Sequence, residues 1–141
     1  MFNAGSDKIR DPAILVARLL LALLFIIFGW KKLTGFSGTV VYMAATGAPA
    51  PELSAIIAII MEFFVGLAII LGLATRPLAL LLLLYTLATA IIGHHYWTMT
   101  GMEQFEAMIN FYKNVSIMGG LLLLYVTGAG KYSVDAKLGW A

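Results

Sequence analysis

The chain has 141 residues, of which 62% are hydrophobic and 11% are charged, and its formal net charge is +2. Soluble domains carry about 25% charged residues, so this composition excludes a soluble globular domain. The positive charge is too small and too dispersed for a nucleic-acid-binding surface, so no nucleic-acid partner is expected. The chain has no cysteine, which excludes disulfides, thiol relays and cysteine-ligated metal centres.

Four apolar runs dominate the sequence, and each has about the 20 residues that a helix needs to cross a bilayer. They cover roughly residues 13–32, 52–74, 77–97 and 107–127. Asp11 and Pro12 predict an N-cap and a first helical position for the first run, and Pro51 and Pro77 open the next two. We therefore predict an all-α protein with one transmembrane domain over residues 1–141, folded as an antiparallel four-helix bundle in a lipid bilayer.

The first run has an alternative interpretation as a secretory signal peptide, because Lys8 and Arg10 precede it. Lys31 and Lys32 follow it where a signal peptide requires small residues for cleavage. The sequence therefore favours a membrane helix that is retained.

The basic residues predict the orientation of the chain in the membrane. Four spans place both termini on one side, together with five basic residues: Lys8, Arg10, Arg76, Lys131 and Lys137. The other side has Lys31 and Lys32 beside three glutamates. The positive-inside rule then places both termini in the cytoplasm. In the first outer loop, residues 37–46 predict a short interfacial helix.

Charged residues inside the apolar runs are few, and two of them predict an ion pair. Glu62 lies about 15 Å below the outer end of its helix, and Lys113 roughly 9 Å below the outer end of another. Pairing would offset part of the cost of about 2.5–3.5 kcal/mol for a charge at a helix centre. Two interpretations stay open: a structural bridge that fixes helix packing, and a polar pocket that binds a head group or relays a proton.

Further polar residues point to the same outer half of the bundle. Tyr85, Thr86 and Thr89 give the third helix a polar stripe that lines a pocket or bonds across helices. The residues assigned to the predicted pocket are Lys32, Glu62, His94, His95, Asn110, Lys113 and Asn114.

His94 and His95 raise the question of a metal or haem site. Adjacent helical side chains point about 100° apart, so both rings cannot ligate one haem iron from the same side. We therefore predict no metal site, and expect one of the two rings to form a hydrogen bond to Glu62 or Lys113.

Arg18 lies roughly 7 Å inside the cytoplasmic end of the first helix. We predict a structural ion pair between Arg18 and Asp135, because Asp135 is the only acidic residue of a basic tail. Pairing with Asp7 or Asp11 and snorkelling into the interface are the alternatives.

Several motifs, in order along nearly the whole chain, together resemble the DoxX family of small four-helix bacterial membrane proteins. The first run ends in Gly29-Trp30-Lys31-Lys32-Leu33, similar to the family's G-x-x-K-L pattern. The other motifs are Gly47-Ala-Pro49-Ala-Pro51, Glu62-Phe-Phe-Val-Gly66, His94-His95-Tyr96-Trp97, Asn110-Phe-Tyr-Lys113-Asn114 and the tail Gly128-Ala-Gly130-Lys-Tyr-Ser133-Val-Asp135.

The resemblance implies a bacterial inner-membrane protein and a link to quinol-linked oxidase systems and oxidative-stress responses. It also implies recurring polar positions at Lys32, Glu62, His95, Lys113 and Asn114, with Arg18, Arg76 and Asp135 at the cytoplasmic end. The first functional hypothesis is therefore an accessory, quinone-associated component that works with other membrane redox subunits. The only candidate cofactor is a quinone, whose carbonyl groups would accept hydrogen bonds from Lys113 and from His94 or His95.

No haem, flavin or metal motif is evident, so the chain alone is not expected to be an enzyme. Two alternatives stay open. One is a binding or transport protein for a lipid, a proton or an apolar solute, acting as a homo-oligomer. The other is an assembly subunit whose charges only fix packing.

Overall fold

The computed structural model describes residues 3–140, with side chains described for residues 8–140. Every regular element in this part of the chain is a helix. The α-helices are α1 (Asn3–Thr34), α2 (Phe36–Ala45), α3 (Pro51–Ile59), α4 (Val65–Leu71), α5 (Thr75–Gly93), α6 (Gly101–Thr127) and α7 (Val134–Leu138). A π-helical turn, Ile60–Phe64, joins α3 to α4, and a 3-10 turn, Tyr96–Thr98, follows α5.

Four stretches are long and apolar enough to cross a membrane. They are the first span (Lys8–Thr34), the second span (Pro51–Leu71), the third span (Thr75–Thr98) and the fourth span (Gly101–Thr127). The prediction of an all-α protein with four such helices is therefore confirmed for the described residues. The short helix expected near residues 37–46 is present as α2.

Two predicted helix starts are wrong, and the reason is the same in both. The first helix begins by Asn3 and holds Pro12 within it, and the Asp11 carboxylate accepts a hydrogen bond from the Lys131 amide instead of capping. The fourth helix begins at Gly101 instead of near residue 107. Hydropathy identifies only the apolar part of a helix, whereas both helices extend into polar sequence.

The spans pack in pairs around a core that lies toward one end of the molecule. The first span packs along the second, the third packs along the fourth, and the first contacts the fourth less extensively. We call the end that holds the tight turn at residues 72–74 the turn end, and the end that holds α2 the loop end. The buried core residues are Ala22, Phe25, Met61, Val65, Ile69, Ala79, Leu82, Leu121 and Leu124.

The tight turn between the second and third spans depends on Gly72. Its φ of 68° is left-handed, a conformation that glycine adopts without steric cost. A Cβ at this position would also lie 2.9 Å from the Arg18 guanidinium carbon. The turn is thereby held against the first span, and the second and third spans are joined closely only at the turn end.

Candidate functional site

A cavity of about 490 Å³ lies between the spans on the loop-end side of the core, and α2 contributes to its wall. Six of the seven predicted pocket residues line it: Lys32, Glu62, His94, Asn110, Lys113 and Asn114. Apolar side chains form most of the remaining wall, among them Phe25, Phe28, Ile57, Ile92 and Ile117. The cavity therefore combines an apolar body with a few polar groups, as small-molecule sites do.

Glu62 connects three spans at the base of this cavity. Its side chain is buried and lies in the π-helical turn of the second span. One carboxylate oxygen accepts a hydrogen bond from Lys32 Nζ of the first span at 2.7 Å, and the other accepts from the Tyr85 hydroxyl of the third span at 2.7 Å. Both oxygens are thereby engaged by charged or phenolic donors, which form stronger hydrogen bonds to a carboxylate than to neutral acceptors.

The prediction that Glu62 pairs with Lys113 is corrected by this arrangement, because Lys32 takes that place. The cause is a close approach between the first two spans. A Cβ on Gly29 would lie 2.5 Å from the backbone nitrogen of Phe63. Lys32 follows Gly29 by three residues, so both lie on the helix face that meets the second span.

Glu62 also lies in a backbone geometry that is unusual within helices. The π-helical turn Ile60–Phe64 interrupts the regular hydrogen bonding of the second span. Single π turns occur mostly inside α-helices and frequently at functional sites. The backbone geometry therefore indicates Glu62 as a candidate functional residue, independently of the charge of its side chain.

Lys113 lines the cavity without a carboxylate partner among the described side chains. Its ammonium donates to the Asn110 side-chain oxygen at 2.8 Å, three residues earlier on the same helix. An ammonium has three donors, so Lys113 retains hydrogen-bonding capacity and positive charge for a bound molecule.

Asn114 performs a packing role beside Lys113. It is buried, and its amide nitrogen donates to the Thr89 hydroxyl at 3.2 Å and to the Thr86 carbonyl at 3.4 Å. These bonds join the fourth span to the polar stripe of the third span. The stripe therefore both bonds across helices and lines the cavity.

The two histidines separate at the end of the third span. His94 lines the cavity, whereas His95 does not. Because α5 ends at Gly93, the residues after it leave the helical path, and a His95 ring nitrogen lies 2.7 Å from the Ile92 carbonyl oxygen. The inclusion of His95 in the pocket is therefore corrected. Neither ring has a hydrogen bond to Glu62 or Lys113 in the described part of the chain.

Some cavity residues were not identified from the sequence. Tyr42 and Thr46 reach it from the end of α2, and Ser54 from the start of the second span. Tyr42 and Thr46 are four residues apart in the segment predicted as a short helix, so their shared face was a usable signal. The specific partnership of Tyr85 with Glu62 depends on tertiary packing, which sequence spacing does not reveal.

A second polar cluster lies at the turn end and corrects the prediction that Arg18 pairs directly with Asp135. Arg18 is buried, and its guanidinium donates to four carbonyl oxygens instead. The acceptors are Ile69 at 3.0 Å, Ile70 at 2.6 Å, Ala129 at 2.5 Å and Tyr132 at 3.0 Å. The last carbonyl groups of a helix lack hydrogen-bond partners within the helix and attract a cation. Arg18 therefore supplies hydrogen bonds to the carbonyl groups at the end of the second span.

Asp135 makes the complementary contact at the start of the third span. Its carboxylate accepts hydrogen bonds from the Ala74 and Thr75 amides at 2.7 and 2.8 Å. The first amides of a helix are unsatisfied donors that favour an anion. Arg18 and Asp135 therefore each supply the hydrogen bonds that one helix end lacks. We call these two residues and their backbone contacts the turn clasp. Of the alternative partners for Arg18, the side chain of Asp7 lies outside the described residues.

The chain is similar to a known protein family and to two inner membrane proteins. The family model described as DoxX matches residues 13–95. Inner membrane protein YphA of Escherichia coli (strain K12) is 56% identical over 128 residues, covering 91% of each chain. Inner membrane protein YqjF of the same organism is 43% identical over 131 residues, covering 93% of this chain and 95% of the relative.

A more distant relative is the ER-derived vesicles protein ERV29 of Saccharomyces cerevisiae (strain ATCC 204508 / S288c). It is 28% identical over 135 residues, which cover 96% of this chain and 36% of that protein. No solved structure matches the chain at a significant level. The family match includes Lys32, Glu62 and His94, whereas Lys113 and Asn114 lie beyond it.

Proposed function

This chain belongs to the DoxX family and is a multi-pass inner-membrane protein, and from that premise we propose that its cavity binds a quinone-type lipid for an accessory role in membrane redox chemistry. In this proposal the four spans form an antiparallel bundle with both termini in the cytoplasm. The loop end then faces outward, and the cavity lies in the outer half of the membrane.

The observation that carries the proposal is the combination of apolar walls with unused donors in one cavity. A quinone ring is flat and apolar, and its two carbonyl oxygens only accept hydrogen bonds. Phe25, Phe28 and Ile117 supply apolar wall for the ring, and Lys113 and His94 supply donors. Because Glu62 is already engaged by Lys32 and Tyr85, it supports the base of the site without repelling a carbonyl oxygen.

The lining residues suit binding and orientation. Lysine, asparagine and glutamate hold a ligand or a proton without changing oxidation state. We therefore assign electron transfer to other membrane subunits, and assign to this chain the holding of the quinone beside them.

The experiment that tests this proposal measures quinone binding to the purified protein. Mass spectrometry of the protein extracted from its own membrane should find quinone, and added ubiquinone or menaquinone should raise the thermal midpoint. Lys113→Met removes the donor and should remove most of that shift. Lys131→Met is the matched control, because Lys131 is exposed near the turn end and outside the cavity. A protein without co-purified quinone and without a shift would contradict the proposal.

One observation favours a second candidate, an anionic lipid head group. Lys113 is a cation without a carboxylate partner among the described side chains, and a phosphate or carboxylate would neutralise it. In nanodiscs, this candidate predicts that phosphatidylglycerol stabilises the protein relative to phosphatidylcholine, that high salt weakens the effect, and that Lys113→Gln abolishes it. A quinone shift that is insensitive to salt would favour the first candidate.

A further inference from the structure

We propose that the ligand enters the cavity sideways from the bilayer and leaves a long apolar tail between the second and third spans, in an opening whose rim is Ile57, Ala88 and Ile92. This inference rests on the proposed function and narrows it. It assigns the site to membrane lipids with a head group and a long tail, and excludes compact solutes that arrive from water.

The first argument is that the rim residues face both the cavity and the molecular surface. Ile57, Ala88 and Ile92 line the cavity, and all three are also exposed on the molecular surface. The exposed fractions of Ile57 and Ile92 are 45% and 37%. A side chain that faces both a cavity and the surroundings marks the edge of an opening. Because all three are apolar and belong to membrane-spanning helices, the opening suits acyl chains better than water.

The second argument is the divergence of the second and third spans. They contact each other through α4 and α5, next to the turn, whereas α3 has no comparable contact with α5. The third and fourth spans, in contrast, pack extensively. The hydrogen bond between Tyr85 and Glu62 crosses the gap and forms its floor. A wedge-shaped gap therefore widens from this bond toward the loop end.

The third argument is that the loop end is covered. Tyr42 and Met43 of α2, followed by Thr46 and Pro49, form part of the cavity wall. The Thr39 hydroxyl of α2 donates to the Gly35 carbonyl at 3.0 Å and lies 3.3 Å from the Lys32 carbonyl oxygen, so α2 is fixed to the end of the first span. With α2 forming part of the wall at the loop end, we assign the tail to the gap between the second and third spans, because the rim residues of that gap are all apolar.

The polar groups fix which part of the ligand lies where. Glu62 is buried at the base of the cavity and Lys113 lines it from the fourth span, while the apolar rim residues line it from the second and third spans. A head group that bonds to Lys113 thus leaves its tail at the rim, where the tail contacts acyl chains on one side and the protein on the other. The tail then needs no internal tunnel, which agrees with a cavity of only about 490 Å³.

Photo-crosslinking tests this arrangement in the full chain in nanodiscs. The probes are a ubiquinone analogue and a phosphatidylglycerol analogue, each with a diazirine at mid-tail. The expected result is that cross-linked peptides contain the rim residues. Ala88→Trp should fill the opening and reduce cross-linking at least fivefold. Leu84→Trp is the matched control, because Leu84 is exposed one turn away on the same helix and does not line the cavity.

The outcomes separate this inference from the proposed function. Rim cross-links from the ubiquinone probe support both. Rim cross-links from the phosphatidylglycerol probe alone support the lateral opening and contradict the quinone. Cross-links confined to α2, or no rim cross-links from either probe, overturn the lateral opening. If Ala88→Trp does not elute as a folded species, Ile92→Trp replaces it, and the wild-type cross-linking pattern decides the question by itself.

Discussion

At the scale of single residues, the main feature is a carboxylate that holds three helices together. Glu62 accepts hydrogen bonds from Lys32 and Tyr85, one on each oxygen. A charge at this depth is costly in a bilayer unless it is paired and hydrogen-bonded. The two donors satisfy that requirement within the protein, so Glu62 is stabilising only while both contacts exist.

We expect the Lys32 and Glu62 substitutions to be coupled. Breaking a buried pair costs about 3–5 kcal/mol. The Lys32 side chain is 21% exposed, so we expect about 1–3 kcal/mol for Glu62→Gln or Lys32→Met. The double variant should lose less free energy of unfolding than the sum of the two, because neither leaves its partner charge unpaired. Unfolding in mixed micelles measures all three.

Lys31→Met is the control for this cycle, because Lys31 is exposed and has no carboxylate partner among the described side chains. It should change the unfolding free energy by less than about 0.5 kcal/mol, as surface substitutions usually do. Additive losses at Lys32 and Glu62 would contradict the pairing.

The sequence predicted which polar residues gather, but paired two of them wrongly. Depth along each helix was estimated from the helix ends, as if all outer ends lay at one level. Gly29 places the end of the first span beside Phe63, within the second span, and this brings Lys32 to Glu62. The offset between two helices along their axes depends on where small residues let the helices pack closely. The rise per residue within one helix gives no information about that offset.

At the scale of elements, Gly29 sets the distance between the first and second spans. Helices in a membrane gain little from apolar burial, so close backbone packing at small residues matters more than in water. At Gly29 the neighbouring contact is the backbone of Glu62 and Phe63 and cannot rotate away as a side chain could. The same contact lies at the start of the polar site, so packing and site geometry are linked.

Gly29→Ala should therefore be destabilising although alanine favours helices. Overpacking costs about 1–3 kcal/mol, and we expect a loss in this range together with a weaker contact between Lys32 and Glu62. Gly119→Ala in the fourth span is the control, since a Cβ there would meet nothing within 4 Å. It should be neutral or slightly stabilising. Thermal unfolding of both variants gives the comparison, and equal midpoints would contradict the role of Gly29.

Helix identity was predictable from the sequence, whereas helix ends were less so. Pro51 begins the second span and Gly128 ends the fourth, as their backbone preferences predict. Pro12 led to a wrong predicted start for the first helix, because proline is common at the first helical position but here lies within α1. The Arg18 and Asp135 roles were also missed, since a charge can satisfy a helix end from a distant part of the chain.

At the scale of the whole molecule, the turn clasp brings three distant parts of the chain to one end. Arg18 of the first span contacts carbonyls of the second span and of the tail, and Asp135 of the tail contacts the start of the third span. The Lys131 amide also donates to Asp11. The early part of the first span, the tight turn and the tail therefore lie together at the turn end.

Because these segments lie together, the chain has two possible orientations in the membrane, and the distribution of basic residues predicts which one it adopts. The turn end holds Lys8, Arg10, Arg76, Lys131 and Lys137, whereas the loop end holds Lys31 and Lys32 with Glu52, Glu103 and Glu106. Basic residues near spans are retained in the cytoplasm. We therefore expect a green fluorescent protein fused after Ala141 to fluoresce and alkaline phosphatase at the same place to be inactive.

A phosphatase inserted after Thr98, in the 3-10 turn at the loop end, is the internal control and should be active. Activity after Ala141 and none after Thr98 would reverse the orientation. The pairing of Glu62 with Lys32 and the lateral opening would be unchanged, because both depend on contacts among the spans. The ligand would then reach the cavity from the cytoplasmic leaflet, so the two reporter fusions decide which side of the membrane supplies it.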